Sequence, residues 1–121
     1  MKNEEIKILV VDDEPDIVEI LRYNLTQVGY QVFSASDGLL GFSEAEKNTP
    51  HLIILDVMMP NLDGIATCEK LRADERFKDT IIMFLTARGE DYSYVAAFDA
   101  GADDYITKPI KPKVLVSKVK G

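Results

Sequence analysis

Four short, largely apolar runs recur along this chain, and they constrain its fold more than any other feature. Each run leads directly into a charged or hydroxyl-bearing residue. The runs cover residues 8–11, 52–55, 81–85 and 105–107. Uninterrupted runs of this length are typical of strands that are buried on both faces, as in a parallel sheet. In open α/β sheets ligands bind at the carboxyl ends of such strands, so the residue after each run is a candidate for a site.

Apolar residues at helical spacing lie between the runs, and a further strand is expected at residues 30–35. Helices are expected from Pro15 to Val28, from Gly38 to about Asn48, around residues 65–71, between residues 90 and 100, and from Pro112 onward. Asp13 or Glu14 is expected to cap the first of these helices. Five βα repeats with short connections predict a doubly wound, five-stranded parallel sheet with five helices on its two faces. The flavodoxin-like strand order 2-1-3-4-5 is the expected one.

Length and charge limit the classes of function that are open to the chain. Its 121 residues are expected to form one domain, and the abrupt end after the last helix suggests that residues 1–121 are the N-terminal part of a longer protein. A net charge of −7 opposes direct binding to nucleic acid. No apolar stretch reaches the roughly 20 residues that span a bilayer. The single cysteine, Cys68, excludes an internal disulfide, and we expect a cytoplasmic protein.

Three carboxylates follow two of the apolar runs. Asp12 and Asp13 come directly after the first run, and Asp56 comes directly after the run at 52–55. The first and third strands are neighbours in the predicted order, so these carboxylates should crowd together. Like charges at close range raise one another's pKa and destabilise a fold unless a cation binds between them. A small, hard ion with oxygen ligands fits best, so we expect Mg²⁺, with Mn²⁺ able to substitute.

Thr86 and Lys108 follow the two remaining runs. Taken singly, Thr86 suits a strand end that caps the next helix, Lys108 suits a solvated surface and Asp56 suits a helix N-cap. At one edge of a single sheet they would instead bring a hydroxyl and an ammonium to the carboxylates. That set of groups suits a pocket for a divalent metal and a phosphoryl group.

From about residue 7 to residue 120 the chain resembles the receiver domain of two-component response regulators. The family's acidic pair matches Asp12 and Asp13, and its phosphoacceptor matches Asp56. Its conserved hydroxyl residue and lysine match Thr86 and Lys108. Residues 56–64 are the most specific stretch, and in them Met58 matches the residue whose backbone carbonyl binds the metal.

The resemblance implies a signalling switch rather than an enzyme that acts on other substrates. A sensor histidine kinase would present a phosphohistidine, and Asp56 would take the phosphoryl group with help from Mg²⁺ and Lys108. Thr86 would then move toward the phosphoryl group and Tyr105 would turn inward behind it. These movements would change the surface made by the fourth helix, fifth strand and fifth helix. The family also implies a cis peptide bond between Lys108 and Pro109.

The stretch 101–112 resembles the winged-helix transcription-factor class of response regulators, whose receivers form homodimers through that same surface. Asp99, Asp104 and Lys118 match the ion-pairing positions of this class. Tyr94 stands where a basic residue is usual, and Val114 stands where its acidic partner is usual. An apolar contact could replace this ion pair and favour pairing with identical receivers. DNA would be bound only through a separate output domain.

Three other functions remain open from the residues alone. An aspartyl-phosphate phosphatase would also use a strand-end aspartate, but it would need a second aspartate where Met58 stands. A flavin or nucleotide carrier would need a phosphate-binding loop after the first strand, where residues 12–14 are all acidic. A receiver that acts as a binding module without phosphorylation is the third.

Overall fold

The computed structural model of the chain describes residues 2–57, 63–87 and 99–120. Within these residues five strands form one parallel sheet in the order β2-β1-β3-β4-β5. The strands are β1 (Lys7–Val11), β2 (Gln31–Ala35), β3 (Leu52–Asp56), β4 (Ile81–Ala87) and β5 (Asp104–Lys108). The predicted sheet and its flavodoxin-like order are therefore confirmed.

The described residues contain four α-helices and two short 3₁₀ helices, Asn3–Glu5 and Glu75–Phe77. The α-helices are α1 (Pro15–Val28), α2 (Gly38–Asn48), α3 (Gly64–Arg72) and the C-terminal helix (Pro112–Lys120). The helix predicted between residues 90 and 100 lies outside the described residues except at its last two positions. The described part thus shows four of the five predicted helices.

Local sequence explains where α2 and α3 begin and where α1 ends. Asp37 and Asp63 accept hydrogen bonds from backbone N–H groups in the first turns of α2 and α3, at 2.8 Å each. Gly29 ends α1 with a φ of 107°, a left-handed conformation that glycine adopts without strain. The expected side-chain cap of α1 by Asp13 or Glu14 is wrong. Glu14 holds the N-cap position but its side chain makes no capping hydrogen bond.

Alternating residues of β1 and β3 face the two sides of the sheet, and helices cover both sides. Leu9 and Ile53 belong to the apolar cluster that includes Leu71 of α3, whereas Ile8 and Ile54 belong to the opposite cluster, with α1 and the C-terminal helix. Every residue of 8–11 and 52–55 is buried. This two-sided burial is why these strands read as continuous apolar runs.

Candidate functional site

Strand register brings the predicted site residues to one edge of the sheet. Val11 of β1 pairs with Leu55 of β3, so the next residues, Asp12 and Asp56, leave the sheet side by side. On the other side of β3, Asp56 pairs with Leu85, the residue before Thr86. The carboxyl ends of parallel strands thus deliver two carboxylates and a hydroxyl to the same place.

Four carboxylates meet at this edge: Asp12, Asp13, Glu14 and Asp56. One oxygen from each lies within 4.8 Å of the others. Asp12 and Asp56 are buried, whereas Asp13 and Glu14 are exposed. The prediction that Asp12, Asp13 and Asp56 would converge held in this geometry. Glu14 was not predicted as a member of the site, although a third consecutive acidic residue after β1 was a signal for it.

Lys108, the last residue of β5, brings a positive charge among these carboxylates. Its Nζ lies 3.3 Å from Glu14 Oε1 and 3.6 Å from both Asp12 Oδ2 and Asp56 Oδ1. Partial burial acts to lower the pKa of Lys108, but the carboxylates of Asp56, Asp12 and Glu14 outweigh it and raise that pKa. Lys108 is therefore a fixed cation at neutral pH.

The two carboxylate oxygens of Asp12 differ in their hydrogen bonding. Its Oδ1 accepts a hydrogen bond from the Glu14 backbone N–H at 2.9 Å, but its buried Oδ2 has no hydrogen-bond partner among the residues that the structure describes. Burial raises the pKa of Asp12 above its ordinary value of 3.8, against the opposing effects of that hydrogen bond and of Lys108. A buried carboxylate oxygen without a donor costs free energy in the metal-free chain.

These groups fit a hard divalent cation. Asp12, Asp13 and Asp56 supply carboxylate oxygens, which are the ligands that Mg²⁺ prefers, and one ammonium does not balance four carboxylates. Asp12 Oδ2, whose contact with Lys108 at 3.6 Å is not a hydrogen bond, is an available ligand atom. Met58, which the family resemblance assigns a backbone carbonyl ligand, lies outside the described residues.

Gly64, the first residue of α3, packs directly against the backbone of Asp56. Its N–H donates to the Val57 carbonyl at 3.1 Å. A Cβ at this position would collide with the backbone carbonyl of Asp56 and would press on the Phe84 ring. Only glycine lets α3 approach the strand end so closely. Gly64 ends the stretch 56–64 that carries the family resemblance, but the resemblance did not say which contact requires a glycine there.

The two predicted switch residues lie on adjacent strands. Thr86 is buried at the end of β4. Tyr105 is half-buried on β5, where its ring packs against the apolar cluster on the α3 side of the sheet. Lys108 and Pro109 are joined by a cis peptide bond, as the family resemblance implied.

The predicted dimer face is partly visible. Lys118 Nζ lies 3.3 Å from Asp104 Oδ1, donates to the Tyr105 carbonyl at 2.6 Å and sits 4.7 Å from the centre of the Tyr105 ring. Val114 is exposed and lines a small surface cavity with Tyr105 and Lys118. Asp99 is exposed, and Tyr94 lies outside the described residues. Asp104 and Lys118 therefore pair with each other within one chain.

Residues 8–120 match the protein family described as "Response regulator receiver domain". The chain belongs to this family. The receiver domain is 48% identical over 114 residues to the alkaline phosphatase synthesis transcriptional regulatory protein PhoP of Bacillus subtilis. It is 41% identical over 114 residues to the DNA-binding dual master transcriptional regulator RpaA of a Synechocystis strain. Both alignments cover 94% of this chain and 47% of the relative, so the chain spans about half the length of these regulators.

Solved structures agree with this assignment. The receiver domain superposes on the chemotaxis response regulator CheY4 of Vibrio cholerae with a TM-score of 0.90 and 30% identity. That superposition covers 95% of this chain and 96% of CheY4. Among the described residues, no helix combines the length and the apolar character that a membrane span requires.

Proposed function

We propose that this receiver domain is a phosphorylation switch in which Asp56 accepts a phosphoryl group from a sensor histidine kinase. The observation that supports this most directly is the position of Asp56. Its carboxylate is buried at a strand end, inside a cluster of four carboxylates, and lies 3.6 Å from the Lys108 ammonium. A purely structural aspartate would gain nothing from this crowding, because each added carboxylate destabilises the others.

In this proposal Asp12, Asp13, Asp56 and the backbone carbonyl of Met58 hold Mg²⁺, and Mn²⁺ substitutes for it. The ion would neutralise negative charge on the phosphoryl oxygens. Lys108 would bind another phosphoryl oxygen as a point charge, since its Nζ already lies 3.6 Å from the acceptor. The chain supplies position and electrostatics, which are the main requirements of phosphoryl transfer.

An oxygen of Asp56 would form a bond to phosphorus as the bond from phosphorus to the donor imidazole breaks. Lys108 would stabilise the developing charge, and the imidazole would leave with a proton from solvent. Water would later attack the acyl phosphate, release inorganic phosphate and restore the Asp56 carboxylate. The domain would thus catalyse only its own modification and its reversal.

Thr86 and Tyr105 would move when Asp56 is phosphorylated, and their movement would change the surface of the domain. The buried Thr86 hydroxyl would donate to a phosphoryl oxygen, and the half-buried Tyr105 ring would follow it inward. Because Lys118 contacts both Tyr105 and Asp104, movement of the ring would also disturb that ion pair.

A homodimer through the surface around Asp99, Asp104, Val114, Lys118 and Tyr94 is the proposed output of the domain. PhoP and RpaA are named transcriptional regulators, and RpaA is named DNA-binding. We propose the same role for the protein to which this domain belongs, with DNA bound by a separate output domain and the whole protein in the cytoplasm.

Intact mass spectrometry tests the switch. We expect one phosphoryl adduct after incubation with acetyl phosphate and Mg²⁺, and none when a chelator removes the metal. Asp56→Ala should prevent the adduct, whereas Asp79→Ala, a change at an exposed aspartate, should leave it intact. If acetyl phosphate and a panel of histidine kinases all left the parent chain unmodified, the chain would be a phosphorylation-independent module.

Sedimentation of the phosphorylated domain tests the dimer surface. Lys118→Glu places a second negative charge beside Asp104 and should raise the dimer dissociation constant at least about tenfold. Lys113→Glu, on the same helix, makes the same change of charge at an exposed position and serves as the control. Equal dimerisation of the Lys118→Glu variant and the parent would rule out the ionic interface.

A further inference from the structure

Glu14 belongs to the site by geometry, but neither the family resemblance nor the proposed phosphoryl transfer gives it a role. Its Oε1 accepts a hydrogen bond from Lys108 Nζ at 3.3 Å, which is shorter than the distances from Nζ to the Asp12 and Asp56 oxygens. Glu14 is also the N-cap residue of α1, yet its side chain makes no capping hydrogen bond. Its carboxylate therefore serves Lys108 rather than the helix.

The geometry points to Glu14 as a positioning residue that holds Lys108 in the resting state and competes with the phosphoryl group for it. This inference rests on the proposed phosphorylation of Asp56. Lys108 would leave Glu14 when a phosphoryl oxygen arrives, so the Glu14 carboxylate slows phosphorylation and weakens the binding of phosphoryl analogues.

Burial explains why Glu14 is the partner that exchanges. The side chains of Asp12 and Asp56 are 0% and 6% exposed, so neither can move into water without opening the core. The Glu14 side chain is 59% exposed and can be solvated as soon as Lys108 leaves. An exposed ion pair is weak and reversible, which suits a contact that forms and breaks in each cycle.

Charge acts in the same direction. Four carboxylates surround one ammonium, and a phosphodonor is itself an anion that must approach them. The Glu14 carboxylate is not needed to place Asp56, but it repels the donor and occupies the cation that the donor requires. Removal of this charge should therefore help the reaction, whereas removal of a metal ligand would harm it.

Glu14→Gln is the variant that tests this competition, because it keeps the size of the side chain and disturbs no helix cap. At saturating Mg²⁺ we expect acetyl phosphate to modify it roughly two- to fivefold faster than the parent, the range that an exposed ion pair supports. Beryllofluoride, a phosphoryl analogue, should bind tighter by a similar factor. Glu19→Gln, an equal loss of charge at an exposed position of α1, should change neither quantity.

The same substitution in a Lys108→Ala background shows whether Glu14 acts through Lys108. Most of the gain in beryllofluoride affinity should disappear in that background, since no ammonium remains for Glu14 to hold and only the weaker charge repulsion is left. Calorimetric titration with Mg²⁺ alone should show that Glu14→Gln weakens metal binding by less than about threefold, because only a nearby charge is lost.

Three results would overturn the inference while leaving the proposed function standing. In each, the parent is phosphorylated on Asp56. The first is a Glu14→Gln variant that is modified no faster than the parent. The second is a gain that persists undiminished without Lys108. The third is a loss of Mg²⁺ affinity of at least about tenfold, which would identify Glu14 as a metal ligand. If the parent neither accepts a phosphoryl group nor binds beryllofluoride, the proposed function fails and this inference fails with it.

Discussion

The two ends of the sheet handle partly buried charge in opposite ways. At the amino end, Arg72 donates from Nε to the Gly101 carbonyl and from Nη1 to the Phe77 and Thr80 carbonyls, at 2.7–2.9 Å. Its Nη2 donates to Asp103 Oδ2 at 2.7 Å. At the carboxyl end, Lys108 makes longer contacts of 3.3–3.6 Å, and Asp12 keeps a buried oxygen without a hydrogen bond.

This contrast in hydrogen bonding suggests different uses for the two ends of the sheet: the polar groups at the amino end stabilise the fold, and those at the carboxyl end form the candidate site. The Arg72 network joins α3, the second 3₁₀ helix and the start of β5, and most of its polar atoms are paired. The carboxyl end keeps like charges together, at a cost in free energy that a bound cation can relieve. Proteins commonly leave such unrelieved free energy at sites where they bind a ligand or change state.

Loss of Arg72 should have the largest effect on folding. Arg72→Ala removes a donor from three carbonyls and from Asp103 Oδ2, which keeps its hydrogen bond from the Ile82 N–H, so we expect the free energy of unfolding to fall by about 2–4 kcal/mol. Urea titration measures this loss. Arg76→Ala, which removes ion pairs from an exposed arginine, should have a much smaller effect, and equal losses would show that the Arg72 network stabilises the fold no more than surface ion pairs do.

Loss of charge at Asp12 should act in the opposite direction. In metal-free buffer we expect Asp12→Asn to raise the free energy of unfolding by about 1–2 kcal/mol, since a buried, poorly paired carboxylate is replaced by a neutral amide. Mg²⁺ at ten times its dissociation constant should stabilise the parent by about 1.4 kcal/mol and the variant far less. A metal-free Asp12→Asn variant less stable than the parent would refute the claim that the carboxyl end is under electrostatic strain.

The free energy of unfolding of the parent should also depend on pH in a way that shows the ionised Asp12 carboxylate to be destabilising. The pKa of Asp12 is higher in the folded chain than in the unfolded one, so the folded state holds this proton more tightly. The contribution of Asp12 to stability therefore falls as pH rises through the range above 3.8 and recovers as pH is lowered. The difference in the free energy of unfolding between the parent and Asp12→Asn, measured across that pH range, isolates the contribution of Asp12.

Cys68, one turn before Arg72 on α3, should show the smallest effect. Burial raises the pKa of its thiol from 9.0 to about 11. Above pH 9 the unfolded thiol ionises while the folded one stays protonated, so stability falls as pH rises toward 11. We expect a loss of somewhat under about 1 kcal/mol at pH 9.5, measured as the difference between the parent and Cys68→Ala. No difference would show that water reaches α3 beside the Arg72 network.

The sequence was sufficient for the sheet and for most of the site. Continuous apolar runs require a sheet covered on both faces, and parallel strands must end at one edge, so the meeting of Asp12, Asp56 and Lys108 followed from topology. The inclusion of Glu14 in the site did not follow from topology. Glu14 lies between a strand and a helix, where one backbone angle decides whether a side chain points to solvent or into the site.

Two further details depended on geometry that periodicity does not encode. Asp104 and Lys118 were placed on a dimer face by resemblance, and the structure shows that they also pair within one chain. The turn before α1 was expected to be capped by Asp13 or Glu14, but the Asp12 carboxylate accepts a hydrogen bond there. Asp12 thus contributes one oxygen to the turn and one to the cluster, a division that residue type alone does not reveal. The predicted dimer remains a prediction.

The close approach of Gly64 to Asp56 has a consequence for how tolerance to mutation is distributed along the chain. Position 64 begins a helix and carries no reactive group, yet any side chain there would push on the peptide carbonyl of Asp56, the proposed phosphoacceptor. In a deep mutational scan scored by signalling, substitutions at 64 should therefore cluster with those at 56 rather than with those at neighbouring positions of α3. A scan of this kind would identify the packing contact beneath Asp56 through Gly64, a residue that has no reactive side chain.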